Sequence, residues 1–139
     1  MSLSIRNQIP GTVIAVTTGE VMATVRVRLD GGQEITAAIT RESVRDLGLA
    51  AGSAVRVLVK STEVSLAMAA VEGISIRNQL PGRVAELVTG AAMSSVKVSV
   101  AGGTLTAAIT TDAVRDLGLA TGSPVVALIK STEISLATV

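Results

Sequence analysis

The chain repeats itself. Ser4–Ala67 recurs as Ser75–Ala137, at an offset of 71 residues early and 70 later. SIRNQ (Ser4–Gln8) returns intact as Ser75–Gln79, and TAAIT (Thr36–Thr40) as Thr106–Thr110. VRDLGLA (Val44–Ala50) returns as Val114–Ala120, and KSTE (Lys60–Glu63) as Lys130–Glu133. The offset changes where GGQEIT, after Asp30, becomes GGTLT, one residue shorter. A repeat this long is a small domain rather than a solenoid unit of about 20–50 residues. Many sequences can keep an apolar core, so shared apolar positions are expected. Shared Ser, Arg, Asn, Gln and Lys ask for another reason.

The repeat divides the chain into a unit over 1–68, a linker over 69–74 and a unit over 75–139. Domains of roughly 65 residues bury only about 60% of their unfolded surface and are marginal alone. These units also lack bulk, since the chain has no Phe, Tyr or Trp while 48% of it is aliphatic or Met. Aromatic rings normally supply much of the burial in a small core. No Cys is present, so disulfides cannot compensate. Packing repeat on repeat and chain on chain is the remaining route, and a homo-oligomer is expected.

Twelve basic and 11 acidic residues are spread along the chain, for a net charge of +1. That balance lacks the basic face expected of a nucleic-acid binder, and the missing aromatics remove the stacking platforms of single-strand binders. The opening MSLSIRNQ shows no basic-then-apolar signal pattern, and no apolar run approaches the ~18 residues of a membrane span. The expectation is a soluble cytoplasmic protein with no nucleic-acid or membrane partner. With neither His nor Cys, there is no ordinary zinc site, thiol nucleophile, Ser–His pair or imidazole acid/base. An enzyme would have to work with Lys, Ser and carboxylates, so none is expected, and no resident metal or cofactor.

Along the first repeat, Gly11–Thr18 reads as a strand after a Pro10–Gly11 turn. Val21–Leu29 alternates, with Val21, Ala23, Val25, Val27 and Leu29 on one face, the period of a half-buried strand. Asp30–Gly31–Gly32 reads as a hairpin turn and Gln33–Ile39 as the returning strand. From Thr40 a short helix is expected, with Thr40 as its cap, Glu42 in its first turn and Gly48 closing it. Ala54–Lys60 is a further strand, Ser61–Thr62 breaks it, and Glu63–Ala67 is a last short one. The fold class is therefore all-β with one short helix per domain: two tandem OB-like five-stranded Greek-key barrels. An open five-stranded sheet with a covering helix is the alternative; closure is favoured because it disposes of sheet edges.

Three repeated polar segments are candidates for function. Ser4 and Arg6 of SIRNQ lie two apart and point the same way if extended; a solvated edge strand would equally tolerate them. Lys60–Ser61 ends a strand at a turn, where a surface lysine is ordinary, but a cation beside a hydroxyl and free N–H groups also makes an anion nest. Thr40 and Thr110 stand at helix starts, where capping alone justifies them and unpaired N–H groups also suit an anion. The set is rich in donors and suits a small oxyanion rather than a cation. Asp46, Asp116, Glu63 and Glu133 lie among basic residues and read as surface or ion-pair groups rather than calcium ligands. No GxxxxGK[ST] phosphate loop is present, and Gly31–Gly32 reads as a turn, not a phosphate cradle.

SIRNQ-x-PG near the start, AAIT before a short helix, LGLAAGS after it and a terminal VKSTEVSLA together resemble the molbindin family of Mop or TOBE-type domains. The resemblance covers nearly the whole chain, twice, with Ile5 and Ile76 where the family usually has Ala. It implies OB-like barrels, a trimer of two-domain chains, and molybdate or tungstate as the ligand at sites between neighbouring domains. It transfers oxyanion contacts onto Ser4, Arg6, Thr40, Lys60 and Ser61, and onto Ser75, Arg77, Thr110, Lys130 and Ser131. Asn7 and Asn78 are matched positions whose role stays open. A second kind of site, near the threefold axis, would rely mainly on backbone groups. Lacking a helix-turn-helix pair or nucleotide loop, the chain is similar to stand-alone forms that store or buffer molybdate. An oligonucleotide-binding OB module and a purely structural assembly domain are the alternatives.

Overall fold

The computed structural model describes residues 2–139; Met1, where the expected first unit begins, lies outside the described residues. The first repeat contributes β1 (Asn7–Thr18), β2 (Met22–Leu29), β3 (Glu34–Thr40), α1 (Arg41–Leu47), β4 (Ala54–Val59) and β5 (Ser65–Ala67). The second contributes β6 (Asn78–Thr89), β7 (Met93–Val100), β8 (Gly103–Thr110), α2 (Thr111–Leu117), β9 (Pro124–Ile129) and β10 (Ser135–Thr138). Two five-stranded antiparallel sheets result, one in the order β10-β4-β1-β2-β3 and the other β5-β9-β6-β7-β8. In each the outer strands approach one another, β10 towards β3 and β5 towards β8, without a ladder between them, so the sheets are curled half-barrels.

The fifth strand of each sheet comes from the other repeat. β5 leaves the first repeat and pairs with β9, Leu66 opposite Ala127; β10 returns and pairs with β4, Leu136 opposite Val57. Each exchanged strand covers an edge that would otherwise offer unpaired N–H and C=O groups. Burial follows the exchange. β2 alternates strictly, with Ala23, Val25, Val27 and Leu29 inside, whereas Val57–Val59 and Val125–Ile129 are buried without interruption. A continuous buried run marks a strand covered on both faces. The buried apolar residues of both repeats form one cluster, from Val13, Val25 and Val57 to Val96, Leu105 and Ile134. Two aromatic-free units that would be marginal apart thus share a single core.

Pro10–Gly11 is not a turn, contrary to the sequence reading. It lies inside β1, with Pro10 opposite Arg56 and Gly11 opposite both Val55 and Leu29. Here β1 passes from β4 to β2 as its pairing partner. A Cβ on Gly11 would stand 2.7 Å from Val27 Cγ1 and 2.8 Å from the Arg28 carbonyl oxygen. The glycine therefore reports close packing at the bend. Val21, placed on the apolar face of β2 by its alternation, precedes that strand and is exposed. The helix matches its expected punctuation: Thr40 accepts a hydrogen bond from the Ser43 amide, and Gly48 is left-handed at φ 63°.

The two hairpin turns meet. A Cβ on Gly31 would overlap the Ala101 carbonyl, and one on Gly102 would stand 2.6 Å from Gly31 Cα. Only residues without side chains allow these backbones so close. On the outer face of the first sheet Arg26 donates to Glu34 Oε1 at 2.8 Å, which with Arg28 nearby holds the Glu34 carboxyl below its ordinary range. This cluster is solvent-exposed and adds little to stability.

Strand exchange makes a long-range prediction. A chain truncated after Ile134 loses β10, and amide-exchange protection should fall along β4 of the first repeat, about 80 residues earlier in the chain. Loss confined to the second repeat would contradict the exchange.

Candidate oxyanion-binding site

The ladder between β1 and β4 assembles the first candidate set. It ends with Asn7 opposite Val59, so the residue before β1 and the residue after β4 emerge together. These are Arg6 and Lys60. Ser4–Arg6 is an extended lead-in, and Lys60 (φ −66°, ψ 139°) opens a 3-10 turn over Ser61–Glu63. Ser4, Ile5, Arg6, Lys60, Ser61 and Thr62 line one cleft of about 230 Å³. In the second repeat Asn78 stands opposite Ile129, which brings Arg77 beside Lys130 (φ −66°, ψ 138°), followed by Ser131–Glu133. The backbone template is the same in both copies.

The donors that line this cleft are of the kind that suits an anion. Arg6 and Lys60 are exposed, and among the described residues neither makes an ion pair; the same holds for Arg77 and Lys130. Two like charges held side by side repel, and a bound dianion reverses the sign of that interaction. The Ser61 hydroxyl oxygen is buried and has no hydrogen-bond partner. A buried hydroxyl without a partner is uncommon and calls for a water or a ligand. Ser131 differs slightly, accepting a long hydrogen bond of 3.4 Å from Asn78 Nδ2. Among the described residues no cluster of three His, Cys, Asp or Glu could hold a metal ion.

Thr40 is not in this cleft. It lines another, of about 310 Å³, with Glu20, Val21, Arg41, Glu42 and Arg45. Its hydroxyl accepts from the Ser43 amide at 3.1 Å and donates to Ser43 Oγ at 2.8 Å. Thr110 likewise caps α2, accepting from the Ala113 amide at 3.1 Å. The structure therefore brings together Ser4, Arg6, Lys60 and Ser61, and leaves Thr40 at a separate corner.

Asn7 and Asn78 do something else. Asn7 Nδ2 donates to the Thr106 carbonyl and Asn7 Oδ1 accepts from the Thr106 amide, both at 2.8 Å. Asn78 makes the same pair with Thr36, also at 2.8 Å. Each side-chain amide acts as one rung of β-ladder on the third strand of the other repeat. Both asparagines are buried. Their retention in both copies is thus accounted for by the junction between repeats. The 3-10 turns reinforce it, Ser61–Glu63 against β8 and Ser131–Glu133 against β3. The one signal in the sequence is their identity in both copies; that they are buried follows only from the packing of the two repeats.

The chain matches the TOBE domain twice, over residues 3–66 and 74–136. It belongs to the TOBE-domain family. This TOBE chain is 44% identical over 136 residues to the molybdenum-pterin-binding protein MopB of Rhodobacter capsulatus, covering 96% of this chain and 50% of MopB. It is 38% identical to the molybdenum transport protein ModE of Azotobacter vinelandii, covering 99% of this chain and 51% of ModE. It thus spans about half the length of these curated relatives. A solved structure of the cytoplasmic molybdate-binding protein ModG, with molybdate bound, superposes with a TM-score of 0.97 at 38% identity, covering 100% of both chains.

The asparagine clamp is testable. Asn7→Ala leaves the part-buried Thr106 amide and carbonyl without their partner, and should destabilise the protein by about 1–3 kcal/mol in urea unfolding. Asn78→Ala should do the same through Thr36. An unchanged midpoint for both would remove the clamp as an explanation.

Proposed function

We propose that this protein binds molybdate or tungstate without catalysis, as a cytoplasmic store or buffer of the oxyanion. The observation that carries this reading is the unpaired Arg6–Lys60 cation pair beside the unpartnered Ser61 hydroxyl; Arg77, Lys130 and Ser131 stand at the matched positions of the second repeat, where Ser131 accepts a long bond from Asn78. Guanidinium, ammonium and hydroxyl donors suit a tetrahedral dianion, and charge-assisted hydrogen bonds are the strong ones. Similarity along the full chain to ModG, whose structure holds molybdate, supports the same ligand class. Similarity to MopB and ModE supports a molybdenum-related role.

Ser4 and Ser75 complete the donor sets at the lead-in. Within one chain Thr40 lies outside this cleft; by the resemblance to molbindins, Thr40 and Thr110 join the sites from a neighbouring chain. This arrangement gives a homotrimer with oxyanions between its subunits, as the resemblance to molbindins implies. The exposed Val21, Met22, Val88 and Met93 supply apolar surface for such contacts. Selectivity over sulfate comes from size, since a pocket fitted to the larger ion stretches the hydrogen bonds to the smaller one.

Thermal unfolding with molybdate, tungstate or sulfate at equal ionic strength tests the reading. A ligand bound only by the folded state at a hundredfold excess over its Kd stabilises by about 2.7 kcal/mol. Molybdate and tungstate should raise Tm and sulfate should do little. In the Lys60→Ala/Lys130→Ala double variant the rise should largely vanish with the oligomer intact. Equal shifts with all three anions, or an undiminished rise in the double variant, would overturn it.

A further inference from the structure

The Asn78 side chain touches both the junction and the second cleft. Its Oδ1 accepts from the Thr36 amide at 2.8 Å, and its Nδ2 donates to the Thr36 carbonyl, also at 2.8 Å. A side-chain amide carries two N–H donors. The other is directed at Ser131 Oγ, at 3.4 Å. Asn78 is 4% exposed, so solvent hardly competes for these groups. The hydroxyl that receives the bond stands in the Ser131–Glu133 turn, next to Lys130, and that turn packs on β3, the strand that holds Thr36. In the first repeat the matching chain of bonds is one link shorter: Asn7 grips Thr106, but Ser61 Oγ is buried with no partner. In the second, the bonds run in one direction. The Thr36 N–H donates to Asn78 Oδ1, and the Asn78 Nδ2–H donates to Ser131 Oγ, which leaves the Ser131 O–H as the next donor in the line.

We propose that Asn78 is a positioning residue of the second cleft: it fixes the Ser131 hydroxyl as a donor to the oxyanion, and so links occupancy of that cleft to the junction between the repeats. This rests on the proposed function above, in which Ser131 contacts the anion. An anion that accepts from the Ser131 O–H makes Ser131 Oγ a better acceptor, because hydrogen bonds in a chain polarise one another. The long bond from Asn78 then tightens, and the polarised amide grips Thr36 more firmly. Such coupling is reciprocal. A closed junction holds the hydroxyl ready, and less freedom is lost when the anion arrives.

Nuclear magnetic resonance of the isotope-labelled full chain, titrated with sodium molybdate, tests this. The backbone amides of Lys130 and Ser131 report occupancy of the second cleft, and the Asn78 side-chain amide reports the link. One Nδ2 proton of Asn78 should move downfield as the Lys130 and Ser131 signals titrate. Ser131→Ala should weaken this cleft about tenfold, the order of one hydrogen bond to a charged group. It should also abolish the Asn78 shift at saturating molybdate. Asn78→Ala should weaken the cleft when Ser131 is present and add little once Ser131 is alanine, since members of one hydrogen-bond chain are not additive. If Asn78→Ala does not fold, the Asn78 signal in the wild type and in Ser131→Ala still decides. An Asn78 signal that stays in place while Lys130 and Ser131 titrate, a shift that survives Ser131→Ala, or additive losses in the double variant overturns the inference and leaves the site standing. Lys130 and Ser131 amides that do not respond to molybdate overturn the site and the inference together.

Discussion

Each sheet is finished by a strand from the other repeat, and the rest of the molecule depends on that exchange. Without β10 the edge of β4 is open, and without β5 the edge of β9 is open. The exchange makes two small units into one core and explains how a chain with no aromatic residue can fold. Burial per unit would be marginal for either repeat alone. The hairpin glycines Gly31 and Gly102 and the asparagine clamps lie on the same junction, so loops, buried amides and strands all hold the repeats in one relative position.

The candidate site follows from this frame. The β1–β4 ladder ends at Asn7 and Val59, and the next residue on each strand is a cation. Asn7 is fastened to β8 by its side chain, and the turn after Lys60 packs on the same strand. The backbone on either side of the cation pair is thus anchored, while the exposed Arg6 and Lys60 side chains have no partner. The cleft is built on strand ends rather than on a long loop.

Much of this was legible in the sequence. Alternation in Ala23–Leu29 placed β2, and Thr40 with Gly48 bracketed the helix, because local chemistry decides caps and strand faces. The repeated Ser4, Arg6, Lys60 and Ser61 stood out because polar identity has no core to explain it. Other features were not legible. Pro10–Gly11 has the composition of a turn, yet lies within a strand that changes partners. Asn7 and Asn78 were matched positions of open role, and only the structure shows them hydrogen-bonded to backbone across the junction. Arg41 and Thr111 differ in sequence, but only burial shows that one is solvent-exposed and the other fastened to Ser94 and Gly90.

The sequence by itself determined the two repeats, the helix and most of the strands in each, and the cations available for an anion. Those properties depend on periodicity, turn chemistry and residue type, which act over a few neighbours. Only the tertiary structure decided which repeat receives each last strand, which side chains share the Lys60 cleft, and that Thr40 stands apart from it. Because the repeats are nearly alike, β5 carries almost the same local pattern as β10, and local pattern does not distinguish pairing within a repeat from pairing between them. That choice is made by the shared core and by the contacts at the junction, which exist only once both repeats have folded together.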